Sequence, residues 1–466
     1  MRRLSATTGI LAAALLGCDE TLAGSGSSLD GADGAAQAAA QPIAATQVLP
    51  PTSLAFPGAQ GYGAASVGGR GGRVIQVTTL ADSGPGSFRA CVTADSPRVC
   101  VFRVAGIIRF SGPPPIIRSP YLTIAGETAP GDGIILSHSG GAIGSTPLVI
   151  KNTHDIVVRH IRVRNDRLGD NPDVADAFTI EASRNVIIDH VSGSWAQDEN
   201  INTHKQTDNL TISWSIFAEG IPRHDKCALL ASDPTGPQNI SFVGNLCAHN
   251  GDRNPDANVR PGSCVEIVNN LFYNAKSQFT EIWESYGGSP VNVVANTYWA
   301  GPETSERAAG IDRVEVGATG QARIFLSGNR FEGDFVQTGS NVSTAQVGQP
   351  VCPLTFVPLS AALATQAVLQ TAGAFPRDSF DQRIVAETRQ RTGRIVDRPG
   401  LMPGLGAASP YPDGDGDGMS DAWESANGTL PASRDSWADQ DGDGWPNLVE
   451  FLDHAHRSRL AGRPVS

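Results

Sequence analysis

Basic residues are scarce in this chain, with 35 Lys and Arg against 47 Asp and Glu and a formal net charge of −12. That balance argues against nucleic acid as a partner. It also argues against unaided attraction to any polyanion, so an acidic substrate would need a local basic patch or a bridging cation. Charged residues make up only 18% of the chain, which does not suit a helical or a disordered chain. Cysteine is sparse at seven and no Cys-x-x-Cys occurs, so zinc-ribbon and dithiol redox chemistry lose their usual spacing. No Leu-x-x-Leu-x-Leu frame recurs, which removes the leucine-rich horseshoe. Beyond the first twenty residues no apolar run approaches the roughly 20 residues that a membrane-spanning helix needs.

What the chain has in quantity is glycine, 52 residues, within a composition 40% hydrophobic. That suits a turn-rich β protein. A short apolar phrase keeps returning: Asn185-Val-Ile-Ile-Asp-His-Val191, Asn209-Leu-Thr-Ile-Ser-Trp214, Asn239-Ile-Ser-Phe-Val-Gly-Asn245 and Val265-Glu-Ile-Val-Asn-Asn270. It continues outside that stretch as Tyr121-Leu-Thr-Ile-Ala125, Asp155-Ile-Val-Val-Arg-His-Ile161, Val291-Asn-Val-Val-Ala-Asn296 and Arg323-Ile-Phe-Leu-Ser-Gly-Asn329. Alternation over five or six residues marks a strand with one face inward, and strands this short need neighbours to bury that face. Coils stacked every couple of dozen residues supply them. The reading is all-β, a right-handed, single-stranded parallel β-helix with small helical caps. Asn245, Asn270, Asn296 and Asn329 share one place in the phrase, where side-chain amides could bond rung to rung or merely form turns.

The glycine-rich segments Phe56–Gly63 and Gly68–Gly72 run into Val74-Ile-Gln-Val-Thr-Thr79, a strand. They therefore lack the helix N-terminus that a phosphate loop uses and read as tight bends where the solenoid begins. Asp82–Arg89 predicts a turn and a short capping helix. Residues 361–371 and 379–391 carry helical spacing and small apolar faces, suited to packing on the outside or bottom of the coil. Residues 401–412 read as a linker.

The amino terminus resembles a bacterial lipoprotein signal: Arg2, Arg3, an apolar run from Gly9 to Leu16, then Leu15-Leu-Gly-Cys18. The resemblance implies cleavage before a lipid-modified Cys18, and residues 19–52 read as a flexible tether. In an exported chain the six remaining cysteines suggest disulfides. Cys91 and Cys100 are the expected pair, while Cys227, Cys247, Cys264 and Cys352 allow three pairings.

Near the carboxyl end, Asp413-Gly-Asp-Gly-Asp-Gly-Met-Ser-Asp-Ala-Trp-Glu424 places Asp413, Asp415, Asp417, Asp421 and Glu424 at positions 1, 3, 5, 9 and 12, with Gly418 at 6. This is the spacing of an EF-hand calcium loop. A second copy offers Asp439, Asp441, Asp443, Asn447 and Glu450. Neither has a full helix before its first Asp, which resembles dockerin-type repeats and points to a structural role.

Residues 55 to about 400 resemble the pectate lyase family, polysaccharide lyase family 1. The match is carried by the Phe56-Pro-Gly entry, Gly84-Pro-Gly-Ser87, Thr123-Ile-Ala-Gly-Glu-Thr-Ala-Pro-Gly131 and above all Asn185-Val-Ile-Ile-Asp-His190, close to the family's Asn-Val-Trp-Ile-Asp-His. The resemblance implies β-elimination on polygalacturonate with Ca²⁺ as cofactor. It places Asp176 at the first calcium-ligand position, with Asp198 and Asn202 in the second acidic cluster. Neutral Asn202 would weaken that cluster unless Glu199 takes its place. Arg223-His-Asp-Lys226 is similar to the phrase whose Lys binds the substrate carboxylate, which makes Lys226 and the nearby His224 substrate-binding candidates. Arg253 falls at the position of the catalytic base and Arg260 at that of a second arginine, though seven residues on rather than five. A guanidinium is an unpromising base, and the role would need burial and crowding by cations such as Lys226 and Arg260.

The expected organisation is therefore a signal peptide (1–18), a tether (19–52), a pectate-lyase-like β-helix (53–400), a linker (401–412) and calcium repeats (413–466). The expected partner is an acidic polysaccharide such as pectate, bound by a monomer that meets the membrane only through Cys18. Other readings are a lyase or hydrolase of another uronate-rich polymer, including a calcium-free pectin lyase, and a non-catalytic glycan-binding adhesin.

Overall fold

The computed structural model describes residues 53–95, 97–138, 146–166, 175–222, 224–317 and 320–466. The expected signal, Cys18, the tether and Arg223 lie outside them. The described chain winds into a parallel β-helix of three sheets, one of ten strands and two of nine. Each strand pairs in parallel with its counterpart one coil away: Val186, Ile188 and Asp189 stand opposite Leu210, Ile212 and Ser213, and those in turn opposite Ile240, Phe242 and Val243. Inward residues of the repeated phrase, such as Ile156, Val186, Ile188, Leu210, Ile212, Ile240, Val265 and Val291, stack in a continuous buried column.

One corner of the coil explains the recurring Asn. A left-handed residue follows each central strand of the ten-stranded sheet, at His160, His190, Trp214, Gly244, Asn269, Ala295 and Gly328. The next residue starts the turn into the sheet that holds Ser192–Ser194 and Ile216–Ala218. There the amides of Asn245, Asn270, Asn296 and Asn329 form a ladder. Asn245 Nδ2 donates to Asn270 Oδ1 at 3.2 Å, Asn270 Nδ2 to Asn296 Oδ1 at 2.9 Å and Asn296 Nδ2 to Asn329 Oδ1 at 3.1 Å. Each Oδ1 also accepts the backbone N–H of the coil before. Ser215 continues the series, since its N–H donates to Asn245 Oδ1 and its hydroxyl accepts from Val191 N. A left-handed corner leaves backbone donors without a strand partner, and the ladder supplies one per coil.

The glycine-rich entry does something other than bend at the start. It crosses the outer face of the ten-stranded sheet over several coils, from Tyr62, whose N–H donates to Ser241, through Gly63 on Thr211 to Gly69 on Thr123. A Cβ on Gly63 would lie 2.1 Å from Val186 O, and one on Gly69 2.0 Å from Arg98 O. Glycine is needed there so that two backbones can touch.

The helix Phe88–Val92, capped by Ser87, forms as expected. The helices Ala361–Thr371 and Ser379–Gln390 lie against the sheet that contains Ile216–Ala218, where Val368, Leu369, Phe380, Ile384 and Val385 bury Trp195, Ile216, Leu246 and Tyr273. The carboxyl-terminal segment packs on the ten-stranded sheet and meets the inter-helix segment at His160. Tyr411, Met419, Trp423, Leu448, Phe451 and Leu452 cover Val99, Val101 and Ala125. Three disulfides are present: Cys91–Cys100, Cys227–Cys247 and Cys264–Cys352. Among the described residues no helix is long and apolar enough to cross a membrane.

Two expectations follow. Asn270→Ala leaves the Asn245 N–H without its acceptor and removes the amide bonds to Asn245, the Phe242 carbonyl and Asn296, and should cost about 2–5 kcal/mol in denaturant unfolding; an unchanged midpoint would mean the ladder is decoration. Glu127 is fully buried and its oxygens accept no hydrogen bond among the described residues. Burial pushes its carboxyl up to about 7 against the pull of Arg159. A carboxyl that keeps its proton in the fold longer than in the unfolded chain lowers stability as pH rises from about 4 to 7. Glu127→Gln should therefore raise the melting temperature by a few degrees on the order expected for such shifts at pH 8 and by almost nothing near pH 4. Equal destabilisation at both would refute this.

Candidate active site

All the residues singled out by the resemblance except Arg260 fall along the leading edge of one nine-stranded sheet. Asp176 immediately precedes the strand Phe178–Glu181, Glu199 opens Glu199–His204, and Lys226 opens Lys226–Ser232. Glu199 stands opposite Lys226 in the ladder, and Lys226 bridges to Asp252. The next strands, Asp256–Ala257 and Gln278–Trp283, bring Asp256 opposite Glu281. Asp176, Glu199, Lys226 and Asp252 thus form one column over four coils, because in-register parallel pairing stacks equivalent positions, while Asp256 and Glu281 stand in the neighbouring row three residues on, in line with Asn202 and Leu229.

The carboxylates of Asp176, Asp198 and Glu199 each offer an oxygen within 4.8 Å of the others. Asp176 is 4% exposed and Glu199 1%, so little water screens them. Burial and then Glu199 push Asp176 up to about 7. Burial and Asp176 push Asp198 up to about 6. Burial and Asp198 push Glu199 up to about 7, against the pull of Arg253. Three acids this close hold protons unless a cation takes their charge.

Asn202 sits at the edge of this group. Its Nδ2 donates to Asp176 Oδ2 at 3.3 Å, while its Oδ1 is buried without a partner among the described residues. A half-turn about χ2 would exchange the two ends and present a neutral oxygen. The third acid that Asn202 does not provide is Glu199. Thr179 Oγ1 and the Glu199 N–H also donate to Asp176, so the carboxylate is held in place from two coils.

Arg253 Nη1 donates to Glu199 Oε1 at 2.5 Å, and its Nε lies 3.7 Å from Asp256 Oδ2. Its guanidinium lies 5.8 Å from the ring of Trp283. The backbone at Arg253 is left-handed, with φ of 50°, and its N–H donates to Glu281 Oε1. With its side chain 21% exposed, the guanidinium lies beside the carboxylate group and not in the stacked interior. Lys226 Nζ donates to Asp252 Oδ1 at 2.6 Å, and His224 Nδ1 lies 2.8 Å from Asp198 Oδ1. The more accessible members of the column are Asp252, Arg253 and His224, with side-chain exposures of 26%, 21% and 39%.

Two expectations are corrected. Among the described residues it is carboxylates, not cations, that crowd Arg253. Burial works against its charge, yet Glu199, Asp256, Glu281 and Asp252 outweigh burial and hold the guanidinium above its usual range. The contacts of Arg260 are also elsewhere: its Nε donates to Pro234 O at 2.6 Å and its guanidinium lies over Tyr286. Asp256 and Glu281 were not among the residues singled out as site residues. Glu281 sits in a strand that carries no motif, and only its register opposite Asp256 reveals it.

No family model matches the chain. The fold is shared with jun a 1, the major allergen from cedar pollen, at a TM-score of 0.54 and 19% identity over 68% of this chain and 92% of that one. These are the parallel β-helix proteins. The chain is 33% identical to the probable pectate lyase C of Aspergillus fumigatus over 397 residues, 82% of this chain and 89% of that one. It is 38% identical to the probable pectate lyase C of Emericella nidulans over 260 residues, 55% of each. The chain belongs to the pectate lyase family.

Asp176→Asn should remove one calcium equivalent from a calorimetric titration of the full chain, or weaken it at least about 100-fold, because ligand charge sets affinity in oxygen-ligand sites. An unchanged isotherm would take this cluster out of metal binding.

Proposed function

We propose that the protein is a calcium-dependent lyase that cleaves polygalacturonate by β-elimination, leaving 4,5-unsaturated oligogalacturonides. The observation that carries this reading is the column itself: three converging carboxylates, a guanidinium and an ammonium on one sheet edge, in a chain of the pectate lyase family. A glycosidase would need an acid and a base carboxyl set apart across the scissile bond. Here three carboxylates converge on a common point and cations occupy the adjoining coils.

Asp176, Asp198 and Glu199 would hold the ion, with Asn202 as a neutral ligand. The residues fit it, since their buried carboxylates crowd without a cation and the Asn202 oxygen is unpartnered. When bound, calcium supplies positive charge at the sugar carboxylate beside C5, which lowers the barrier to placing a second negative charge there. Lys226 binds a substrate carboxylate by exchanging it for Asp252. His224, bonded to Asp198, lines the accessible edge.

In this reading Arg253 takes the C5 proton, a role supported by its match to the family's base position and its contact with Glu199. The C–H electron pair becomes the C4=C5 bond as the C4–O4 bond breaks and O4 leaves with the next sugar. The base role requires the neutral guanidine, which burial favours and the surrounding carboxylates oppose. Engaging Glu199 elsewhere weakens that opposition, and alkaline solution favours the same form. Arg260 is left as a groove residue that meets the polymer away from the reacting bond.

We also read residues 1–18 as a signal that leaves the exported chain lipid-anchored at Cys18. Three disulfides support an oxidising compartment.

The mature protein incubated with polygalacturonate at alkaline pH should release product that absorbs in the ultraviolet, and a chelator should stop it. Product indifferent to chelator would indicate a pectin-lyase-like route, and binding without product a glycan-binding adhesin. Arg253→Lys should keep the circular dichroism spectrum and lose about 10²–10⁴-fold in turnover; retained turnover would remove Arg253 as the base.

A further inference from the structure

The two carboxyl-terminal loops share a sequence pattern but differ in structure. In the second loop, Asp439, Asp441 and Asp443 bring their carboxylates together at the surface, and all three are exposed. The first loop has a different environment. Asp413, Asp415 and Asp417 converge, and Asp417 belongs at the same time to a group with Glu424 and Asp435.

Glu424 is fully buried, and neither of its oxygens has a hydrogen-bond partner among the described residues. A buried carboxylate left so is costly. Its oxygens lie within 4.8 Å of those of Asp417 and Asp435, so the side chain is aimed at the place where a cation would sit. Asp417 is itself 2% exposed. Asp435 comes from outside the twelve-residue loop, in the segment joining the two loops, and its Oδ1 is likewise buried and unpartnered. Several carboxylate oxygens converging in a flexible array suit a hard cation of calcium's size and coordination number.

Each donor stands on a different piece of chain, and each piece touches the solenoid. Asp413 Oδ2 accepts from Gln76 Nε2 at 2.8 Å, in the first strand of the ten-stranded sheet. Glu424 lies on the short helix Asp421–Asn427 beside Trp423, which is packed on Phe451. Asp435 lies two residues before Trp437, whose indole donates to Gly72 O at 2.8 Å. The helix Asn447–Leu460 continues the contact, with His456 Nδ1 2.8 Å from His160 Nε2 and Arg459 Nε donating to Glu127 O at 3.0 Å.

We propose that the first loop, completed by Asp435, is a calcium-operated clasp that seats the carboxyl-terminal segment on the flank of the β-helix. One ion draws together three chain pieces that otherwise repel one another through their charge. The apolar residues they carry then cover Val99, Val101 and Ala125. The inference is independent of how the active site is read.

The test uses the full chain carrying Asp176→Asn, so that the active-site cluster does not enter the count. Calcium titration by calorimetry should show a tight site. Asp435→Asn should weaken it at least 100-fold, whereas Asp441→Asn, in the exposed second loop, should leave it unchanged. With the first loop intact, hydrogen exchange in the same protein should show residues 447–460 protected in calcium and at least tenfold less protected in chelator. No tight site, a tight site indifferent to Asp435→Asn, or equal protection in both buffers would overturn the proposal.

Discussion

Every coil of this protein bonds its backbone to the coil before and the coil after, and the register of those bonds decides what stacks on what. A slip of one residue would turn every apolar side chain of the repeated phrase outward. Two devices oppose the slip. The inward column of Ile, Val and Leu resists it through burial, and the amide ladder from Ser215 to Asn329 resists it through directional bonds at the corner. The left-handed corner residues still donate to the next coil, but the N–H of the residue after each of Trp214, Gly244, Asn269 and Ala295 turns out of the sheet, and the amide oxygen answers that need at the same point of each turn.

The same register builds the site. Asp176, Glu199, Lys226 and Asp252 are far apart along the chain, yet the register stacks them near the strand heads of one sheet, and Glu281 joins them from the middle of its strand. Stacking them places acids beside a guanidinium and an ammonium without a loop having to be ordered for the purpose. The electrostatics follow from that packing. Carboxylates brought together by the scaffold cannot all ionise in a buried place, and the resulting appetite for a cation is a property of the fold as much as of the residues.

The flanks repeat the theme of chain laid on chain. The glycine-rich entry runs over one face of the ten-stranded sheet where Gly63 and Gly69 leave no room for a side chain. The carboxyl-terminal segment covers the neighbouring stretch at Val99, Val101 and Ala125. Two helices cover the sheet around Ile216 and Leu246. The solenoid is thus clad at these apolar outward patches, while Asp252, Arg253 and His224 keep part of their side chains accessible among the described residues.

Much of this was legible in the amino-acid sequence, because strand alternation, turn residues and calcium-loop spacing are local signals. The repeat at Asn185, Asn209, Asn239 and Val265 specified a parallel β-helix, the motif around Asp189 and His190 pointed to the family, and the family's other phrases implied Asp176, Asp198, Asn202 or Glu199 in its place, His224, Lys226, Arg253 and Arg260. The ladder of Asn245, Asn270, Asn296 and Asn329 could be guessed but not distinguished from turn formation. What only the tertiary structure decided depends on contacts between segments distant in the chain. The pairing of four cysteines, the closeness of backbones at Gly63 and Gly69, the carboxylates around Arg253 where cations were expected, and the arrival of Asp435 beside Glu424 are of this kind. No local pattern encodes them, since each is set by which coil or flank lies next to which.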